Sequence, residues 1–123
     1  MERENMKIMI CDDDQGILDV LEMLLEPEGF EVSKEIDSTL LFDRIKTEKP
    51  DLLLLDLWMP VLSGYDLIKK IRKDREVKNL PVIVLSASRN EKDIALETGA
   101  NHFMAKPFDI EEIILLVNES LGR

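Results

Sequence analysis

Asp51-Leu52-Leu53-Leu54-Leu55-Asp56 is the stretch on which the fold turns. Four consecutive leucines show no alternation of apolar and polar residues, so a strand made of them is buried on both faces. Such a strand belongs in a parallel sheet between two layers of helices. The chain on either side repeats the pattern. Apolar runs at Ile8 to Cys11, Glu31 to Ile36, Val82 to Leu85 and His102 to Ala105 alternate with amphipathic stretches, which with Leu52 to Leu55 makes five βα units. An α/β domain with a parallel sheet is the expectation, and residues 1–123 are few enough to form one domain rather than two.

Helix signals fill the intervals. Ahead of the first helix stands Asp14 as N-cap, Ile17, Leu21, Leu24 and Leu25 form its inward stripe, and Pro27 with Gly29 ends it. The spacing predicts further helices over Thr39 to Glu48, Tyr65 to Asp74 and Glu91 to Thr98. In the last helix Asp109 is the N-cap, and Ile110, Ile113, Ile114, Val117 and Leu121 fall on one stripe at 3.6-residue periodicity. Leu115 falls nearly opposite and is expected to face solvent.

Composition narrows the function classes. Hydrophobic residues at 45% and charged residues at 34% are the balance of a soluble globular chain. No apolar run approaches membrane-spanning length and Met1 to Asn5 is polar, so no membrane span is expected and a cytoplasmic location is. Sixteen basic against 26 acidic residues leave a net charge of −10, which repels a phosphate backbone and argues against direct nucleic-acid binding. The lone Cys11, beside Met9 and Ile10, reads as core rather than as a redox group.

A few of the acids are placed unlike the rest. Asp12 and Asp13 follow the first strand, and Asp56 follows the leucine strand. In a doubly wound sheet, ligands bind outside the carboxyl ends of strands, where neighbouring crossovers leave toward opposite faces. If the first and third strands are neighbours, three carboxylates converge there, and like charges in a partly desolvated crevice take up protons or a cation. A hard divalent ion such as Mg²⁺ suits a sparse all-oxygen site. Ser86 ends the fourth strand and Lys106 the fifth, adding a hydroxyl donor and a cation. These are the parts that phosphoryl transfer uses, because the protein's work there is positioning and charge neutralisation.

On these residues the sequence resembles the receiver domain of two-component response regulators over essentially its whole length. The matching segments are Ile8-Met9-Ile10-Cys11-Asp12-Asp13, Asp51 to Asp56 continuing to Met59-Pro60 and Gly64, Val82 to Ala87, and Gly99-Ala100 through Lys106-Pro107-Phe108. The resemblance implies a (βα)5 doubly wound, flavodoxin-like fold, with a five-stranded parallel sheet of order 2-1-3-4-5 and helices on both faces. It makes Asp56 the acceptor that becomes an aspartyl phosphate, with Mg²⁺ as cofactor and Mn²⁺ as a substitute. Asp13 matches the direct metal ligand, Asp12 one acting through water, and the backbone carbonyl of Trp58 completes the protein's share together with Asp56. Ser86 and Lys106 match the residues that bond the phosphoryl group, and Phe103 the aromatic switch position. Trp58 and Ser88 hold the variable positions that tune the site, and the bond before Pro107 is expected to be cis. The implied partners are a sensor histidine kinase or a histidine phosphotransfer protein, and a downstream effector or output domain. A dimer through helix 4, strand 5 and helix 5 is also implied.

Three other readings compete. A phosphatase of the haloacid dehalogenase kind would use Asp12 and Asp14 and leave Asp56 unexplained. A degenerate receiver acting only as a protein-binding module would lack some of the acids or the lysine. A flavodoxin-like cofactor carrier would need a glycine-rich or hydroxyl-rich loop after the first strand, where this chain has acids. His102 reads as a strand-edge or surface residue.

Overall fold

The computed structural model describes residues 5–123. Five strands, β1 (Lys7–Cys11), β2 (Glu31–Glu35), β3 (Leu52–Asp56), β4 (Val82–Ser86) and β5 (His102–Ala105), alternate with five helices. The helices are α1 (Gln15–Leu25), α2 (Ser38–Glu48), α3 (Gly64–Lys73), α4 (Lys92–Thr98) and α5 (Ile110–Ser120). The strands form one sheet in the order β2-β1-β3-β4-β5, and every pair is parallel. This is the doubly wound order expected from the resemblance.

The four leucines divide between two cores. Leu53 and Leu55 pack with Met9, Cys11, Val82 and Val84 against Leu41 and Ile45 of α2, Leu67, Ile68 and Ile71 of α3, and Ala95 of α4. Leu52 and Leu54 pack on the other face with Ile8, Ile10, Ile83 and Leu85 against Leu18, Leu21 and Leu25 of α1, and Ile113 and Val117 of α5. All four are fully buried, and truncating any one to alanine costs about 2–5 kcal/mol.

That layering creates the crevice. The crossover after β1 leaves toward the α1/α5 face, whereas the one after the adjacent β3 leaves toward the α2/α3/α4 face. Side-chain caps hold the helix starts that border the gap. Asp14 accepts the Gly16 N–H at the head of α1, and Ser63 accepts the Asp66 N–H at the head of α3.

Several sequence expectations shift in detail. Ile36 lies outside β2 and is about half exposed, and α4 begins at Lys92 after a 3-10 turn at Arg89–Glu91. Leu18, absent from the expected inward stripe of α1, is buried at its centre, with Ile17 and Leu24 flanking it half-buried. Ile110 is 53% exposed although it shares the stripe of Ile113 and Val117. It is the first residue of α5, past the end of the strand layer that buries the later turns. Leu115 faces solvent, as its helical phase requires. Among the described residues, no helix is long and apolar enough to cross a membrane.

Candidate functional site at the carboxyl ends of the strands

Strand register brings the acids together. Cys11 pairs with Leu55, so Asp12 and Asp56, one residue further on, leave neighbouring strands at the same level. Carboxylate oxygens of Asp12, Asp13 and Asp56 all lie within 4.8 Å of one another. Asp12 and Asp56 are buried, and Asp13 is exposed at the mouth. Such a small, oxygen-only set with an open side fits a hard divalent cation that keeps part of its water shell.

Among the described residues, one cation faces the three acids. Lys106 follows β5 and its Nζ lies 2.7 Å from Asp12 Oδ2 and 3.4 Å from Asp56 Oδ1. Burial works against the ammonium, but its hydrogen bond and charge pairing with Asp12, and then with Asp56, outweigh that and hold its pKa above the usual lysine value. Asp12 is satisfied further by the Asp14 N–H at 2.9 Å. For Asp56, burial first and the Asp12 charge second raise the carboxyl to about 6, although Lys106 pulls the other way. The site thus carries an excess of negative charge that its one lysine does not cancel.

The loop after Asp56 is held tightly. The Gly64 N–H donates to the Leu57 carbonyl at 2.8 Å, and a Cβ on Gly64 would collide with the Asp56 carbonyl oxygen. Only glycine allows α3 to start so close to the acid's backbone. Between them, the Leu62 N–H donates to the Pro60 carbonyl at 2.8 Å, which forces Val61 to a φ of 70°.

The remaining expected residues are distributed around this centre. Ser86 is fully buried; its hydroxyl donates to Glu91 Oε1 at 3.4 Å and accepts the Ser88 N–H at 3.2 Å. The Lys106–Pro107 peptide bond is cis. Phe103 is half-buried and lines a cavity of about 410 Å³ with Arg89, Lys92 and Asp109. The Trp58 side chain is 58% exposed yet partnered. Its indole N–H donates to Glu91 Oε1 at 2.6 Å, and its ring meets Tyr65 edge-on at 5.6 Å.

Two residues in this arrangement were not singled out from sequence. Glu91 read only as a helix boundary and Tyr65 as the start of α3, and no spacing rule links either of them to Ser86 or Trp58. Cys11, by contrast, is core: its thiol is buried, donates to Met59 Sδ at 3.6 Å, and is pushed up to about 12 by burial and then by nearby carboxylates. Asp14, which a dehalogenase-like phosphatase would need in its site, is an exposed helix cap.

Comparison with known proteins agrees with this geometry. The family model of the response regulator receiver domain matches residues 8–118. A proposed response regulator from Chloroflexus aurantiacus J-10-fl superposes with a TM-score of 0.92 at 31% identity, over 97% of this chain and 99% of that one. The receiver domain of Francisella response regulator 1452 gives a TM-score of 0.88 at 34% identity, over 97% and 98%. The receiver domain of the Pseudomonas aeruginosa sensor histidine kinase PA1611, with a magnesium ion coordinated in its active-site cleft, gives 0.88 at 26% identity, over 97% and 99%. Sheet order, the acids closing β1 and β3, and the matched span together mean that this chain belongs to the response regulator receiver domain family of two-component signalling.

Proposed function

We propose that the chain is a phosphorylation switch in which Asp56 accepts a phosphoryl group from the phosphohistidine of a sensor histidine kinase or histidine phosphotransfer protein. The observation that carries this reading is the convergence of Asp12, Asp13, Asp56 and Lys106 within one crevice. A carboxylate oxygen of Asp56 forms the new O–P bond as the N–P bond breaks, and the departing imidazole takes its proton from solvent. Lys106 neutralises charge on the transferred group, and Ser86 donates its hydroxyl to a phosphoryl oxygen. Asp12, Asp13, Asp56 and the Trp58 carbonyl would hold Mg²⁺, or Mn²⁺ in its place, which supplies Lewis-acid neutralisation of the phosphoryl oxygens.

The output is a change in partner affinity rather than a released product. Drawing Ser86 inward leaves room for Phe103 to turn, and the surface of α4, β5 and α5 then favours a downstream effector, an output domain or a second copy of the chain. Ser88 and Trp58, flanking the site, set how readily water reaches the phosphoryl group. The negative charge of the chain supports a role without direct nucleic-acid contact, and its composition a cytoplasmic one. In this reading residues 1–123 form one receiver domain.

Incubation with acetyl phosphate and Mg²⁺, followed by intact-mass measurement, tests the proposal. One base-labile phosphoryl group on wild type and none on Asp56→Asn is the expected result. Equal labelling of the variant would move the acceptor elsewhere.

A further inference from the structure

Glu91 stands immediately before α4, where a carboxylate commonly caps the first amides, yet its side chain makes no such bond. Both of its oxygens turn away from the helix. Oε1 accepts the Trp58 indole N–H at 2.6 Å and the Ser86 hydroxyl at 3.4 Å, while Oε2 accepts the Tyr65 hydroxyl at 2.9 Å. One carboxylate thereby ties together the loop after Asp56, the first turn of α3, the end of β4 and the start of α4. The edge-on packing of Trp58 and Tyr65, at 72° between planes, fixes the two aromatic donors relative to each other. Burial, then the bond and charge of Glu91, push the Tyr65 phenol up to about 12, so it remains a donor throughout the neutral range.

Ser86 has no spare proton in this arrangement. A hydroxyl carries a single one, and here it goes to Glu91, while an oxygen lone pair takes the Ser88 N–H. Neither bond involves Asp56. Ser86 can therefore serve Glu91 or a phosphoryl oxygen, but not both.

We propose that Glu91 is a resting-state latch, a positioning residue that holds the Ser86 hydroxyl and the Trp58 indole away from the phosphoryl group and clasps α4 to α3. The proposal rests on the reading that Asp56 is the acceptor. Capture of Ser86 by a phosphoryl group removes the longest of the three bonds first, which unties the start of α4 from the end of β4 and alters the surroundings of Trp58. The strength of the latch sets how much of the affinity for the phosphoryl group is consumed in leaving the resting state.

Beryllofluoride with Mg²⁺ imitates the phosphoryl group and serves as the probe. Its uptake is followed by fluorine NMR, and Trp58 emission is read in parallel, since no other tryptophan contributes. Glu91→Ala is expected to bind the probe roughly fivefold tighter than wild type, the size of one net hydrogen bond. Its resting emission should already resemble that of the probe-bound wild type and change little on binding. Tyr65→Phe removes one of the bonds that position Glu91 without altering charge and leaves the Ser86 bond itself in place, so it should tighten binding only about twofold, the lower end for one net hydrogen bond, and it keeps the test open if Glu91→Ala unfolds.

Removing a negative charge beside an anion site also tightens binding, so the deciding comparison is a double-mutant cycle with Ser86→Ala. The latch predicts that the gain from Glu91→Ala disappears in the Ser86→Ala background, whereas a through-space charge effect persists there. Equal tightening in both backgrounds, or unchanged affinity and emission response in Glu91→Ala, overturns the latch. Absence of fluorine NMR uptake by wild type is a different signature: it refutes Asp56 as acceptor and the latch with it.

Discussion

The two ends of the sheet are built on opposite electrostatic plans. At the amino ends of the strands, polar groups satisfy one another. Arg72 donates to the carbonyls of Gly99, Lys78 and Leu80 at 3.0, 2.9 and 2.6 Å and to Asn101 Oδ1 at 2.9 Å, and that same oxygen accepts the Val82 N–H at 2.8 Å. The Lys7 N–H donates to Asp51 at 2.8 Å, and Lys46 pairs with both Asp74 and Glu76. At the carboxyl ends, three carboxylates share one lysine, and a valine occupies left-handed backbone. Groups already satisfied within the protein have nothing left to offer a ligand, so the first end is suited to stability and the second to the ligand chemistry proposed above.

The largest test of this contrast is Arg72→Ala. It leaves the Gly99 carbonyl after α4 and the Lys78 and Leu80 carbonyls before β4 without their donor, and a loss of about 3 kcal/mol in urea unfolding is expected. Arg72→Lys should recover only part, because an ammonium cannot span the separate acceptors that the guanidinium fork reaches. A neutral Arg72→Ala would show that the clasp is ornamental and the contrast false.

Asp56→Asn should act in the opposite direction. The folded-state value of about 6 lies above the ordinary 3.8, so the fold favours the protonated carboxyl. Its stabilising contribution is full below about pH 4 and is lost as pH rises through about 6, up to roughly 2–3 kcal/mol for a shift of this size. In the absence of divalent metal, the variant should therefore be more stable than wild type by about 2 kcal/mol at neutral pH, with the difference fading near pH 4. Following only the difference between the two proteins across pH cancels the other titrating acids. A pH-independent difference would remove the electrostatic explanation.

Val61 offers the smallest effect. Its φ of 70° and 91% exposure mean that the strained backbone receives no packing in return. Val61→Asn should stabilise by about 0.5–1 kcal/mol in thermal unfolding, since asparagine tolerates left-handed backbone better than a β-branched residue. A loss instead would mean that the loop draws on the valine side chain.

What the sequence made legible follows the same division. Leu52 to Leu55 announced a doubly covered strand, and the acids after β1 and β3 announced a site, because both readings depend only on the position of residues along strands. Periodicity was less informative along the helices. It gives direction around an axis but not reach beyond the sheet, so Ile110 joined a stripe whose first turn overhangs the core. In α1 it put Ile17 and Leu24 on the inward stripe and omitted Leu18, whereas the structure centres Leu18, Leu21 and Leu25. The Arg72 clasp and the Glu91 junction were invisible, since the contacts of Arg72 with Gly99 and Asn101, and of Glu91 with Trp58 and Tyr65, span 26 to 33 positions in sequence.

The claim that the carboxyl end is built at a cost in stability for an incoming cation and phosphoryl group is tested most directly by Mg²⁺ titration of unfolding free energy near neutral pH. Wild type should gain stability with the logarithm of Mg²⁺ concentration, reaching about 2.7 kcal/mol at a hundredfold excess over Kd. Arg72→Ala, weakened at the other end, should keep that gain in full, whereas Asp13→Asn should start more stable than wild type and gain almost nothing. Equal Mg²⁺ stabilisation of Asp13→Asn and wild type, or none in wild type, would contradict the account.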